Sequence, residues 1–170
     1  TKTASEWIGD SHCSISGSKA HIDRLVAACT DEMRAGGLKI LVGTASLLGE
    51  GWDCDAINVL VLASQIGSFV TSNQMRGRAI RINPNQPDKV ANIWHLLTCS
   101  GDATLDKADF DKLARRFDGF VAPHHNGREI CSGVQRIGLT VDEMSDLLTR
   151  NMTTLAAADN RQATAVAWQT

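Results

Sequence analysis

Residues 38–81 read LKILVGTASLLGEGWDCDAINVLVLASQIGSFVTSNQMRGRAIR, and the fold turns on how they are understood. Two short apolar runs, 38–43 and 57–63, each lead into a polar segment. The first continues as Thr44-Ala-Ser-Leu-Leu-Gly-Glu-Gly-Trp-Asp53, the second as Gln74-Met-Arg-Gly-Arg-Ala-Ile-Arg81. Apolar runs with little alternation predict strands covered on both faces, as in a parallel sheet flanked by helices. Ligands of such sheets sit beyond the carboxyl ends of the strands, where both polar segments are expected to fall.

Outward from this stretch, residues 20–35 predict a helix with Ile22, Leu25, Val26, Cys29 and Met33 on one apolar face, stopped by Gly36-Gly37. Ahead of it, the polar residues 1–18 hold at best one weak strand near 12–16, closed by the Ser16-Gly17-Ser18 turn. Downstream, Thr71 or Ser72 is expected to cap a helix carrying Gln74 to Arg81, which the loop Asn83-Pro84-Asn85-Gln86-Pro87 ends. A third strand follows at 90–98. Residues 105–117 predict an amphipathic helix with Leu105, Phe110, Leu113 and Phe117 inward and a basic end at Arg115-Arg116. Residues 119–139 read as an irregular connector with one short strand. A capping box, Thr140 with Glu143, opens a last helix whose stripe of Met144, Leu147, Leu148, Met152 and Leu155 is expected to be buried.

A chain of 170 residues with a net charge of −2 has room for one core and no strongly basic surface for non-specific nucleic-acid binding. Aromatic residues are few and tyrosine is absent, which argues against an extended base-stacking platform. The cysteines (Cys13, Cys29, Cys54, Cys99 and Cys131) are odd in number and never form a Cys-x-x-Cys pair. Reduced, mostly packed thiols and a cytoplasmic location are therefore expected. Nothing in the sequence has the length of a membrane span or the pattern of a signal peptide, so no membrane partner is expected.

The polar segments have chemistry of their own. Spacings of three and four put Gln74, Arg78 and Arg81 on one helical face. Two permanent guanidinium charges aimed at one place suit a transferring phosphoryl group. Gly77 removes a side chain where something must approach closely. A solvated surface helix is the bland reading of the same residues. Thr44, directly after a strand, offers a hydroxyl and a backbone N–H to a phosphate. Gly49 and Gly51 permit a tight loop, and Asp53 is placed to hold a hydroxyl or a water. An ordinary strand-to-helix loop is the alternative there.

Together these motifs resemble the second RecA-like motor domain of superfamily 2 helicases and translocases (DEAD/DEAH, type III restriction-like, helicase C-terminal domain), the Gly-Glu-Gly-Trp-Asp wording being closer to the restriction and repair branches than to DEAD-box RNA helicases. Ser16-Gly17-Ser18 and the helix after it resemble that family's glycine turn and helix. Lys39-Ile-Leu-Val-Gly-Thr44 with Gly49-Glu-Gly-Trp-Asp53 resembles motif V, and Gln74-x-x-Gly77-Arg78-x-x-Arg81 matches motif VI at each defining position. The resemblance runs from residue 16 to about 98. It implies a RecA-like, mostly parallel sheet with helices on both faces over residues 1–100. Residues 101–170 would form a mainly helical extension packed on, or completing, the same domain.

For function, the resemblance implies an ATP-dependent nucleic-acid motor, with DNA as the expected track and RNA as the alternative. Arg78 and Arg81 would be arginine fingers on the γ-phosphate, and Gln74 would position water or nucleotide. Gly51, Asp53 and Gly77 would lie against the nucleotide, and Thr44, Ser46, Gly17 and Ser18 against the nucleic-acid backbone. ATP and Mg2+ would be held with an N-terminal RecA-like domain of the same protein. No Gly-x-x-x-x-Gly-Lys-Ser/Thr occurs in the 170 residues, and Gly17-Ser18-Lys19 lacks the upstream glycine. The expectation is therefore a fragment or separately expressed domain that is inactive as an ATPase alone. The rival expectation is a non-catalytic helicase-like binding or scaffold module. A free-standing Rossmann-type enzyme is disfavoured, since Gly49-Glu-Gly51 is only half of the dinucleotide fingerprint.

Other tempting features have blander readings. Asp31-Glu32 and Asp142-Glu143 fall in or at the start of predicted helices, as solvated charges. His124-His125 with Cys131 lacks a matched ligand pair, so no metal is expected. Cys54 reads as a packed thiol, and Arg115, Arg116 and Arg128 as solvated charges. Trp52 either stacks on a base or fills space beneath its loop.

Overall fold

A computed structural model describes residues 4–8, 12–49, 51–63, 68–98, 103–124, 129–137 and 147–167. Expectations for Gly67, Cys99, His125, Arg128, the Thr140–Glu143 capping box, Met144 and Trp168 lie outside the described residues. The architecture is mixed α/β, and the chain divides into two compact units, Thr1–Ala56 and Ile57–Thr170. No helix among the described residues is long and apolar enough to cross a membrane.

The first unit opens with an antiparallel pair, β1 (Ala4–Ile8) and β2 (His12–Ser16), in the register Ala4↔Ser16 to Ile8↔His12. The sequence shows β2 but gives little sign of β1. Helix α1 (Lys19–Ala35) follows the predicted span. Gly36 takes a left-handed φ of 84°, its N–H donating to the Met33 carbonyl while that of Gly37 donates to Glu32. This double closure satisfies helix-end carbonyls that otherwise have no partner.

Residues 38–43 do not form the expected strand, with Ile40 77% and Val42 88% exposed. An apolar run becomes a strand only when a second backbone completes its ladder. In this unit the one described ladder is β1 with β2, and 38–43 pairs with neither. The chain then enters a single turn, α2 (Ala45–Leu48).

The second unit contains the part of the parallel reading that the structure bears out. β3 (Val59–Leu62) and β4 (Asn92–His95) pair in parallel, with Val59 opposite Asn92 and Leu62 opposite His95. Parallel neighbours need a long crossover, which includes α3 (Phe69–Ala79). The expected mostly parallel sheet is not seen: among the described residues one pair is parallel and two are antiparallel. The second antiparallel pair is β5 (Val121–Pro123) with β6 (Ile130–Ser132), running into a 3-10 turn, Gly133–Ile137.

Helix α4 (Ala103–Phe117) carries the core. Phe110, Leu113, Phe117 and Phe120 form one buried cluster, with Leu97, Ala114 and Val134 against it. Three of these are residues the helical spacing placed inward. Helix α5 (Leu147–Asp159) departs from expectation, because Leu148, Met152 and Leu155 are exposed. Two polar contacts among the described residues join this end of the chain to the segment around β4. Asn92 donates to the Ala158 carbonyl at 3.1 Å, and Arg161, opening α6 (Arg161–Ala167), donates to Val90 at 2.7 Å. The thiols of Cys13, Cys29, Cys54 and Cys131 are all free, Cys54 fully buried and Cys13 exposed.

Candidate functional site

The site residues fall on two loops in the first unit and on one helix and the chain just past its end in the second. Ser18 is the N-cap residue of α1, its hydroxyl 2.7 Å from His21 Nδ1 rather than on the helix N–H groups, and Gly17 precedes it exposed. Thr44 caps α2, its Oγ1 accepting from the Leu47 N–H at 3.2 Å, and Ser46 is exposed on that turn. The two loop glycines answer different needs. A Cβ on Gly49 would strike the Ala45 carbonyl oxygen, whereas Gly51 has nothing nearby but takes a φ of 81°.

Two contacts fasten the Gly51–Asp53 loop onto α1. The Trp52 indole N–H donates to Thr30 Oγ1 at 2.9 Å, and that buried hydroxyl donates in turn to the Val26 carbonyl at 2.7 Å. Arg34 donates from Nη2 to the Asp53 carbonyl at 3.0 Å, from Nε to Asp55 at 3.3 Å and from Nη1 to Asp31 at 3.2 Å. Burial lowers the Arg34 pKa, but the Asp55 hydrogen bond, with Cys54 and Asp31, outweighs it and the net direction is up. Trp52 is thus tied to α1 through its indole nitrogen. The loop and α1 border a cleft of about 490 Å³ lined by Asp23, Thr30, Arg34, Gly51, Trp52 and Asp53 among others. Its carboxylates outnumber its one guanidinium, so it suits a polar hydroxyl better than a bare phosphate.

Helix α3 begins earlier than expected. Its cap is Ser68, whose Oγ accepts from the Thr71 N–H at 3.3 Å, while Thr71 and Ser72 lie within the helix. The first turn is held by Phe69, whose ring lies 4.9 Å from that of Phe120, so the helix starts where this apolar contact begins. Ser72, Arg76 and Ala79 recur at spacings of four and three, and Ser72 and Ala79 are fully buried. Gln74 and Arg78 are four apart on the opposite side, Gln74 exposed and Arg78 half-buried. Gly77 lies between them with no atom within 4 Å of where a Cβ would stand.

Arg81 is outside the helix, contrary to expectation. Ile80 ends α3, the Arg81 N–H reaches back to the Arg78 carbonyl at 3.3 Å, and Lys89 Nζ caps the Arg81 carbonyl at 2.7 Å. Ile80 and Ile82 are exposed, so another helical turn would bury nothing. The turn at Asn83, whose Oδ1 accepts from the Asn85 N–H, redirects the chain instead.

Sequence reasoning missed a group of cations behind α3. Arg76 stacks on Phe120, its Cζ 3.7 Å from the ring centroid. Arg116, expected to be solvated, is 4% exposed and its Nη1 lies 3.2 Å from His95 Nδ1. Arg115 is exposed, as expected. A signal for Arg116 was present, since it follows Leu113 by three residues and adjoins Phe117, on the inward side of α4. Burial, then the charges of Arg116 and Arg76, pushes His95 down to about 4, and burial followed by the Arg136 charge lowers Arg76. Burial also lowers Arg116.

This makes His95 a pH-dependent weakness. The unfolded chain takes up a proton on this imidazole near pH 6.5, while the folded chain resists until about 4. Stability attributable to His95 is therefore full above pH 6.5 and declines as pH falls toward 4. Urea midpoints measured across that window should fall with pH, and less steeply in His95→Gln. Parallel pH profiles for the two proteins would remove His95 as the cause.

Among the described residues no group of three His, Cys, Asp or Glu side chains could hold a metal ion. The backbone N–H of His124 donates to the Glu129 carbonyl at 2.8 Å across the β5–β6 hairpin. No protein-family model matches the sequence, and no curated protein or solved structure is significantly similar to it.

Proposed function

We propose that this chain is the second RecA-like motor domain of a superfamily 2 ATPase acting in the cytoplasm on nucleic acid, with DNA as its track. In this reading Arg78 and Arg81 reach the γ-phosphate of an ATP held by the N-terminal RecA-like domain of the same protein. Gln74 orients the water or the nucleotide. Gly51 and Asp53 meet the nucleotide's sugar hydroxyls, in keeping with the acidic lining of their cleft. Thr44, Ser46, Gly17 and Ser18 grip the nucleic-acid backbone through hydroxyls and backbone N–H groups. ATP supplies the phosphoryl group, and its Mg2+ would be held by the phosphates and the partner domain.

The observation that carries this is the open space over Gly77. A glycine inside a helix costs about 1 kcal/mol relative to alanine. Nothing among the described residues approaches the missing Cβ, so none of them requires it. The residue is explained if the body that comes close is external, and Gln74 and Arg78 flank it on the same outward side. A phosphate bearing on α3 there would meet a guanidinium, an amide and bare backbone.

Gly77→Ala separates this from a purely structural helix. It should leave the fold intact and stabilise it by roughly 0.5–1 kcal/mol, while lowering ATP turnover in the protein that includes the ATP-holding domain. Unchanged turnover together with raised stability would refute a close approach at Gly77.

A further inference from the structure

We propose that Arg76, Arg116 and Arg136 form a binding site for a phosphate-type oxyanion, separate from the motif residues on the outer side of α3. The case begins with how an arginine is normally settled in this protein. Arg34 spends its donors on two carboxylates and a carbonyl. Arg76, Arg116 and Arg136 have no such arrangement. The partner of Arg76 is the face of Phe120 and that of Arg116 is the imidazole of His95, both neutral. Three donor atoms, Arg76 Nη1, Arg116 Nε and Arg136 Nε, are shut off from solvent and hydrogen-bond to nothing.

A guanidinium does not shed its proton at ordinary pH, so burial cannot be relieved by neutralisation. A buried charge left unpaired costs far more than a buried neutral group. Here three like charges share one neighbourhood: Arg76 lies on Phe120, Phe120 meets Phe117, Phe117 meets His95, the partner of Arg116, and Arg136 is on the turn packed against α4. They come from three elements, α3, α4 and the 3-10 turn, so no single local sequence accident accounts for them. Among the described residues the arrangement lacks an anion.

The number of donors favours a tetrahedral oxyanion over a carboxylate. One guanidinium already satisfies both oxygens of a carboxylate in a bidentate pair. Three guanidiniums suit the charge and the additional oxygens of a phosphate. His95 fits as well: with Nδ1 accepting from Arg116 Nη1, its proton sits on Nε2, which adds a neutral donor without a fourth charge. Arg76 and Arg136 are only partly buried, which leaves an approach from solvent. A free phosphate and the terminal phosphate of a nucleic acid present the same recognition chemistry.

The test uses the whole 170-residue chain and needs no ATP turnover, so it stands or falls apart from the motor reading. Inorganic phosphate should raise the unfolding temperature in a saturable way, as expected for a ligand that binds only the folded state. Acetate and chloride at matched ionic strength should not. Arg136→Gln, at a half-buried residue outside the Phe110–Phe120 cluster, should weaken phosphate binding about tenfold or more, the loss of one charge-assisted hydrogen bond. Arg116→Gln should do the same if it folds. A 5′-phosphorylated oligonucleotide that outcompetes its 5′-hydroxyl counterpart would identify nucleic-acid ends as the source; preference for inorganic phosphate alone would identify the free ion. Equal shifts from phosphate and acetate, or an Arg136→Gln protein that binds phosphate as well as the native chain, would overturn the site.

Discussion

On the motor reading, Arg78→Ala, made in a protein that joins this chain to an ATP-holding domain, is expected to reduce nucleic-acid-stimulated ATP turnover by about a thousandfold or more, the range for loss of an arginine finger. Nucleic-acid binding should change little. The reasoning begins with where the residue sits. Arg78 lies in the last turn of α3, on the side away from the fully buried Ser72 and Ala79. Truncating it opens no cavity in the Phe110–Phe120 cluster, so the variant should fold, and an unchanged circular dichroism melt would verify that. Arg78→Lys should recover little, because a lysine is a point charge without the planar two-pronged geometry. Arg81→Ala should also be severe. The double variant should fall short of the product of the single effects if both act on one phosphoryl group. The rival reading, a non-catalytic module, expects turnover to be indifferent to both arginines. A native-like rate in Arg78→Ala would leave that rival standing and remove the motor mechanism.

The outward-facing pair was legible because it needs only local geometry. Gln74 and Arg78 are one helical repeat apart, and that relation holds whatever packs behind α3. The same locality made α1 legible, since Gly36 sits directly after a periodic apolar face and supplies the left-handed cap. The β3–α3–β4 crossover was legible for a related reason, as two apolar runs with a helix between them have few other ways to pair. What escaped depends on partners far along the chain. Residues 38–43 look like a strand by composition, yet a strand exists only beside another. Arg34 gave no sign that it would reach Asp53 and Asp55, some twenty positions on. Arg116 was misread because a charge near a helix end is usually solvated, and only the phase relative to Leu113 and Phe117 spoke against it. The stripe on α5 failed in the opposite direction: its periodicity is real, but no described element covers Leu148, Met152 and Leu155. Periodicity marks a face that can be buried, and the rest of the fold decides whether it is.

That distinction yields the largest expected effect on stability. Phe117→Ala should cost about 3–5 kcal/mol, the usual toll for removing a buried aromatic ring. Phe117 is 9% exposed and sits inside the cluster of Phe110, Leu113 and Phe120. Its ring meets His95 edge-on at 4.8 Å and Phe120 at 5.9 Å, so truncation also withdraws support from the residue under Arg76. Against a total of 5–15 kcal/mol typical of domains, a loss of this order leaves little stability. The urea midpoint, followed by circular dichroism, should fall sharply or the transition should disappear. Leu148→Ala and Met152→Ala also remove large apolar groups, but these are 80% and 71% exposed, and each should shift the midpoint by no more than about 0.5 kcal/mol. The three variants therefore ask where the core lies. If Leu148→Ala proved as costly as Phe117→Ala, the α5 stripe would be part of a buried face after all. The cluster on α4 would then no longer account for how the second unit holds together.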